Sequence, residues 1–467
     1  MQVPPYLSAR GTRDLILSRE VSCEEVVRSC LDRIAATHSR LNAVVSTNEH
    51  RALSEARAVD AAIAAGTPPG PLAGVPVTVK DLWAAEGLPA TSGTQGRVNY
   101  LPEADATVVA KLRRAGAIVL GKSNTPEFGM CLETTNDVFG TTNNPYDKTR
   151  TTGGSSGGAA ASIASGSAAL EFGSDGGGSI RLPCHFCGVA GLKATSHRIS
   201  KAGHFPVHTG IASRLAGYGP IARRITDVAL AFDLVLGDDP LDPDALPAGI
   251  DAPSVGSLQG LRVAFFTDNG VRSPTPEVAR AVAHCASILA RAGALVSECR
   301  LPRLDEAFEI HLGLLIVDRC LIDDWKRDAG TTKLHPWVQA GVEYLQEAAA
   351  EFDANTGTLL HDDWETYRRD ASRFMRDYDV VLSPVAPGSA LPHGELSAPD
   401  NYDWCSYAAV YNVTGWPAAV VRAGTSPDGL PLGVQVAGAP FSDRLVLETA
   451  AFLEGELGDF VPPPDPR

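Results

Sequence analysis

Gly153-Gly154-Ser155-Ser156-Gly157-Gly158, followed by Gly173-Ser174-Asp175-Gly176-Gly177-Gly178-Ser179-Ile180-Arg181-Leu182-Pro183, dominates a block, residues 149–191, built mainly of Gly, Ser and Ala. Such a composition fits a flexible linker. The interval between the two runs argues otherwise. Ala159 to Ala164 suits a helix packed through small side chains, and Leu170 to Phe172 suits a strand. A linker would also rarely carry Ser-Ile-Arg-Leu-Pro directly after three glycines. The block reads as a close-packed core segment.

The flanks read as alternating helices and buried strands. Ser22-Cys23-Glu24-Glu25 has the form of a capping box, and Val26, Val27, Cys30, Leu31 and Ile34 follow at helical spacing. A second helix is expected from Arg51 to Ala65, ending at the Gly66–Gly70 breaker. Val75–Val79 and Ala117–Leu120 are short apolar runs of strand character, the second preceded by a helical Ala110–Ala115 segment. That alternation is the pattern of an α/β sheet. Pro240 to Pro253 reads as a surface loop or seam. Leu261–Thr267, Leu295–Ser297, Val380–Ser383 and Ala418–Val421 read as later strands. Thr275-Pro276-Glu277 is expected to cap a helix with Val278, Ala281, Val282, Cys285, Ile288 and Leu289 on one face. Residues 305–378 read as mostly helical, and Leu445–Leu457 as a closing helix.

The chain of 467 residues carries 44% apolar and 20% charged residues with a net charge of −15. This is the make-up of a globular enzyme with a large core. The negative balance and scattered basic residues argue against nucleic acid, which needs clustered Lys and Arg. No apolar run approaches the length needed to cross a bilayer, and Met1–Arg10 lacks the layout of a signal peptide. A cytoplasmic location is expected. Nine cysteines at irregular spacing hold one CxxC, Cys184 and Cys187, with no second pair to complete a zinc site. Bounded by Pro183 and Gly188, it reads as a pair of buried thiols rather than a redox or metal centre.

Two motif matches fail on physical grounds. Gly116-Ala117-Ile118-Val119-Leu120-Gly121-Lys122-Ser123 fits the phosphate-loop pattern by letter. Its interior is a buried strand rather than an open anion-binding turn, and Thr125-Pro126 breaks the helix that should follow. Gly153-Gly154-Ser155-Ser156-Gly157 fits the nucleophile elbow of α/β-hydrolases, but a polar loop precedes it where a strand is required. A third constellation has more chemistry. Lys80 follows the apolar run Val75–Val79, and a lysine there either snorkels to solvent, the commoner case, or is buried with a lowered pKa and acts as a base. Ser155 and Ser179 each follow glycines, whose bare backbone lets N–H groups converge on a substrate oxygen.

Together these residues resemble the signature of the amidase signature family. Val79-Lys80-Asp81 stands where that family has its catalytic lysine, and the separation of 24 positions between Ser155 and Ser179 matches. The likeness extends over Gly116–Phe128, Asn143–Pro145, Phe186–Lys193, Gly219–Arg223 and Asn412–Gly438. It implies an α/β fold: one amidase domain, 1–467, with a large mixed β-sheet core flanked on both sides by helices. Within it, 1–65 would be an N-terminal helical segment and 66–235 the catalytic signature core. Residues 236–467 would complete the sheet and cover the substrate pocket. It further implies a Ser–cisSer–Lys triad. Ser179 would be the nucleophile, Ser155, with a cis peptide to Gly154, the bridge, and Lys80 the base. Gly176, Gly177 and Gly178, with the Ser179 amide, would form the oxyanion hole. Asp175 and Arg181 would hold the loop in shape, surface pairing being the competing reading, and Ser156 would support it; Met130 and Cys131, where they are not simply core, would border the acyl pocket with part of the 305–340 region. No metal and no cofactor are implied.

The chain departs from the family pattern in places. Gly176 replaces a larger apolar residue, which implies a looser loop or a wider pocket. Ala194 replaces a common proline, and Cys184 and His185 replace small residues. His185, His204 and His208 are read as loop or pocket-wall histidines, because the Lys–Ser–Ser set needs no imidazole base. The expected substrate is a small aliphatic or aryl amide, with no nucleic-acid or membrane partner and a homodimer left open. The alternative is the glutaminase subunit of a tRNA-dependent amidotransferase; a non-catalytic relative is argued against by the intact Lys80, Ser155 and Ser179.

Overall fold

The computed structural model describes residues 3–464 apart from 68–69, 251–256, 318–320 and 351. The apolar runs at Val75 and Ala117 become β2 (Pro76–Lys80) and β3 (Ile118–Ser123), neighbouring parallel strands buried along their whole lengths. Around them lie β1 (Val44–Thr47), β4 (Leu170–Asp175), β5 (Ala190–Lys193) and β6 (Gly217–Ala222). The remainder are β7 (Arg262–Phe265), β8 (Leu295–Glu298), β9 (Val380–Pro384), β10 (Ala418–Thr425) and β11 (Pro431–Gly438). They form one mixed eleven-stranded sheet in the order β1-β3-β2-β4-β6-β5-β10-β11-β9-β7-β8.

Side chains alternate across this sheet, as the two-residue period of a strand requires. Ala419 and Val421 of β10 belong to one apolar cluster with the helices Ile225–Val235, Pro276–Arg291 and Asp443–Leu457. Val420 points the other way, into a cluster with the helices Gly157–Ala164 and Arg181–Cys187. Helices therefore cover both faces.

The capping box at Ser22 forms as expected, Ser22 and Glu25 bonding each other's backbone at the start of helix Cys23–Leu41. The segment 1–65 is not wholly helical: β1 leaves it to pair antiparallel with β3. Thr275 does not cap its helix through its side chain. Pro276 begins the helix, and the Thr275 hydroxyl is buried without a hydrogen-bond partner. The 149–191 block is ordered core, with every residue of helix Gly157–Ala164 buried. A Cβ on Gly158 would lie 2.4 Å from the Asn124 amide nitrogen, so only glycine lets this helix sit so close to the chain beyond β3. Among the described residues, no helix is long and apolar enough to cross a membrane.

Candidate active site

The site sits at the carboxyl ends of β2 and β4, parallel neighbours in the sheet. Loops at that edge commonly carry function in α/β folds. β2 ends in Lys80 and β4 in Asp175, after which the chain turns through Gly176, Gly177 and Gly178 to Ser179. Lys80 is fully buried and ion-paired to no described carboxylate. Its Nζ lies 2.7 Å from Ser155 Oγ, 3.0 Å from Ser174 Oγ and 3.4 Å from the Ser174 carbonyl oxygen. Burial pulls its pKa down to about 7, against a weaker upward pull from Asp175 and Glu171. The amine is therefore neutral in a large share of molecules at neutral pH.

Ser155 follows a cis peptide bond from Gly154. A Cβ on Gly154 would stand 2.6 Å from the Cys131 carbonyl oxygen, so glycine is what lets this turn pass under the 131–133 segment. The Ser156 amide donates to the Ser179 carbonyl at 3.0 Å, tying the two serine segments together. Ser155 and Ser179 face one cavity, of about 190 Å³. Its wall is apolar and aromatic, including Phe128, Met130, Cys131, Trp325, Trp337 and Tyr402. No Asp, Glu, Lys or Arg lines it among the described residues. Of the 305–340 region expected to help line it, residues 318–320 lie outside the described chain.

Asp175 and Arg181, for which surface pairing was the competing reading, are both fully buried. Asp175 Oδ1 accepts from the Gly178 amide at 2.7 Å and from Arg181 Nη2 at 2.8 Å. Its Oδ2 accepts from the Ile180 amide at 3.1 Å and Arg181 Nε at 2.9 Å. The charge and donors of Arg181 hold this carboxyl well below the usual range despite its burial. Arg181 also donates to Ala408 O, Gln435 Oε1 and Asn412 Oδ1, anchoring the loop to the C-terminal third of the chain.

This arrangement corrects one expectation. The Gly178 amide is taken up by Asp175 Oδ1 at 2.7 Å, within the loop itself, rather than left free for a substrate oxygen. The other peptides of the loop are set by the partners of their carbonyls. In a trans peptide the C=O and N–H point in opposite directions. The Asp175 carbonyl accepts from Asn412 Nδ2 at 2.9 Å, which turns the Gly176 N–H to the side opposite Asn412. The Gly178 carbonyl accepts from the Leu182 amide at 2.7 Å, which turns the Ser179 N–H to the side opposite Leu182. Gly177 N–H is set by the Gly176 carbonyl, which faces His311 Nε2 at 2.9 Å. Space beside Gly176 is open: a Cβ there would meet nothing within 4 Å.

The three histidines singled out in the sequence part company. His185 is buried behind the loop, its ring bonded to Gly433 and Gly388 backbone. His204 packs edge-on against Trp83, its Nδ1 2.8 Å from the Pro206 carbonyl. His208 lines the cavity, with Nδ1 2.9 Å from the Tyr218 hydroxyl, and burial with the nearby Lys80 lowers its pKa to about 4. Ser174 and His311 escaped the sequence reading. Ser174 alternates inward two residues after Phe172, a pattern too common to single it out. His311 sits between the buried residues Ile310 and Leu314 of helix Glu306–Val317, and a polar residue on such an apolar face was the available signal. Cys184 and Cys187 are free, buried thiols whose pKa values burial raises. Lys122, the lysine of the phosphate-loop match, is a buried strand residue 3.6 Å from Asp81 Oδ1. No group of three or more metal-ligating side chains occurs among the described residues.

The sequence model for the Amidase family matches residues 25–447. The glutamyl-tRNA(Gln) amidotransferase A subunit of Moorella thermoacetica is 34% identical, over 96% of this chain and 96% of its own. An acylamidase of Rhodococcus erythropolis is 32% identical, over 96% and 95%. A solved bacterial aryl acylamidase of the amidase signature family superposes with a TM-score of 0.85 at 27% identity, covering 96% of each chain. Fold and relatives together define an enzyme that hydrolyses amides. The chain belongs to the amidase signature family.

Proposed function

We propose that this enzyme hydrolyses small neutral amides with an aryl or aliphatic part, through Ser179 as nucleophile, Ser155 as relay and Lys80 as base. The observation that carries the reading is the buried Lys80 amine, ion-paired to no described carboxylate and 2.7 Å from Ser155 Oγ, where Ser155 and Ser179 line one cavity whose described wall holds no Asp, Glu, Lys or Arg.

Ser179 Oγ attacks the amide carbonyl carbon while its proton passes through Ser155 to the Lys80 lone pair. The carbonyl oxygen takes the negative charge and is met by the N–H groups of Gly176, Gly177 and Ser179. One such donor is worth about 2.7–4 kcal/mol of barrier. The proton on Lys80 then returns through Ser155 to the amide nitrogen, the C–N bond breaks and the amine leaves. Water attacks the acyl-Ser179 ester, giving its proton to the same relay. The C–O bond to Ser179 breaks, Ser179 regains its proton, and the carboxylic acid departs. The sum is amide plus water to acid plus amine, and no step calls for a metal ion. A cytoplasmic site of action accords with the free thiols of the described cysteines.

The likeness to amidotransferase A subunits favours a second reading, glutamine hydrolysis within a complex. Glutamine carries an α-carboxylate and an α-ammonium, which a binding site must pair on burial. The described cavity wall offers neither charge. Turnover of anilides, aliphatic amides and glutamine, each with and without added amidotransferase partner subunits, separates the two. Hydrolysis of neutral amides by the isolated chain is expected. Ammonia release from glutamine alone, and only with partners present, would overturn the proposal.

A further inference from the structure

We infer that His311, acting through the Gly176 carbonyl, is the positioning residue that aims the Gly177 N–H at the oxyanion. This inference rests on the serine amidase reading above.

The hydrogen bond itself fixes the state of the ring. A backbone carbonyl only accepts, so at 2.9 Å from Gly176 O the His311 Nε2 must carry the proton. The ring is buried to 1% exposure, and burial lowers its pKa, so the neutral Nε2–H tautomer is the state present at neutral pH. Nδ1 then needs no donor of its own to keep that tautomer, and none is present: it is buried without a hydrogen-bond partner.

The consequence lies one bond away. Gly176 C=O and Gly177 N–H belong to one peptide unit, and the cis peptides of the described chain lie elsewhere, at Gly154–Ser155 and Phe205–Pro206. Holding the carbonyl towards His311 therefore turns the N–H in the opposite direction. The neighbouring peptides are each held by other groups: Asn412 on the Asp175 carbonyl, Asp175 on the Gly178 amide, Leu182 on the Gly178 carbonyl. The 176–177 peptide alone depends on a side chain from helix Glu306–Val317. Glycine has no side chain to resist rotation of this unit. A Cβ on Gly177 would come within 2.9 Å of His311 Cε1, so the ring also closes the space into which the loop would relax.

Three substitutions test the inference on a neutral amide substrate. His311→Gln places an amide N–H near the Nε2 position, His311→Asn places its donor near Nδ1 and short of Gly176, and His311→Phe removes the donor and keeps the ring. Expected are a kcat within about tenfold of the parent for Gln and a fall of about 100-fold for Asn and Phe, the cost of one oxyanion donor. KM should change little, because the donor acts on charge that develops during reaction. If Phe fails to fold, the Gln and Asn pair, both polar and similar in size, carries the comparison. Equal kcat for Gln and Asn, or a loss expressed only in KM, would overturn the inference. Ser179→Ala runs alongside: if it keeps turnover, the amidase reading fails; if it is inactive while His311→Asn is fully active, only the role of His311 fails.

Discussion

Replacing Asp175 by Asn keeps the shape of the side chain and removes its charge, and the geometry sets what that costs. Oδ1 receives the Gly178 amide at 2.7 Å, Arg181 Nη2 at 2.8 Å and Asn412 Nδ2 at 3.1 Å; Oδ2 receives the Ile180 amide and Arg181 Nε. Every group facing this carboxylate is a donor. An asparagine amide must turn its NH2 to one side or the other, and on the Oδ2 side, where the Arg181 amide also donates at 3.4 Å, it opposes three donors just as it does on the Oδ1 side. Arg181 would then be a buried cation without its counter-charge. Removing one partner of such a pair costs about 3–5 kcal/mol. Urea unfolding should therefore show a lower midpoint with an unchanged slope. Since the same carboxylate fixes the Gly178 peptide, kcat should fall as well, by tenfold or more. A variant destabilised by less than about 1 kcal/mol, with normal kcat, would refute the claim that Asp175 clamps the loop.

Other consequences can be checked together. Lys80 must be neutral to accept a proton, and burial lowers its pKa from 10.5 to about 7; the rate should rise with pH through that value and then level off. Lys80→Ala should lower kcat by about 10²–10⁴-fold, the usual worth of a general base, and abolish that rising limb. Gly176→Ala should fold with stability within about 0.5 kcal/mol of the parent, since its Cβ meets nothing, and should discriminate against bulky acyl groups in kcat/KM. Cys184 and Cys187 should resist a thiol reagent until denaturant is added, because both are buried. Chelator treatment should leave turnover unchanged.

How much of this was legible depended on whether the local sequence carried its own reason. β2 and β3 were plain because continuous apolar runs bounded by turns leave few other readings. β5 and β6 escaped because Ala190–Lys193 and Gly217–Ala222 are dominated by Gly and Ala. They form a strand pair through close approach, which is why a Cβ on Gly219 would sit 1.8 Å from the Leu192 carbonyl oxygen. The lysine and the two serines each carried a weak signal, the end of an apolar run or a glycine context, and the resemblance to the amidase signature joined them into one site. The occupation of Gly178 by Asp175 was not legible, since it depends on which way a peptide faces. Nor was His311, whose partner is 135 positions away in the chain. Asp175 and Arg181 were expected to hold the loop, but their full burial was not legible, because charged residues are rarely fully buried and only the converging donors around them make it tolerable.

The most direct test of the Lys80–Ser155–Ser179 chemistry is the site of covalent capture by a fluorophosphonate, mapped by peptide mass spectrometry. A single adduct on Ser179 is expected, formed faster as pH rises through about 7, absent in Ser179→Ala and strongly slowed in Lys80→Ala. An adduct on any other residue, or undiminished labelling of Ser179→Ala, would contradict it.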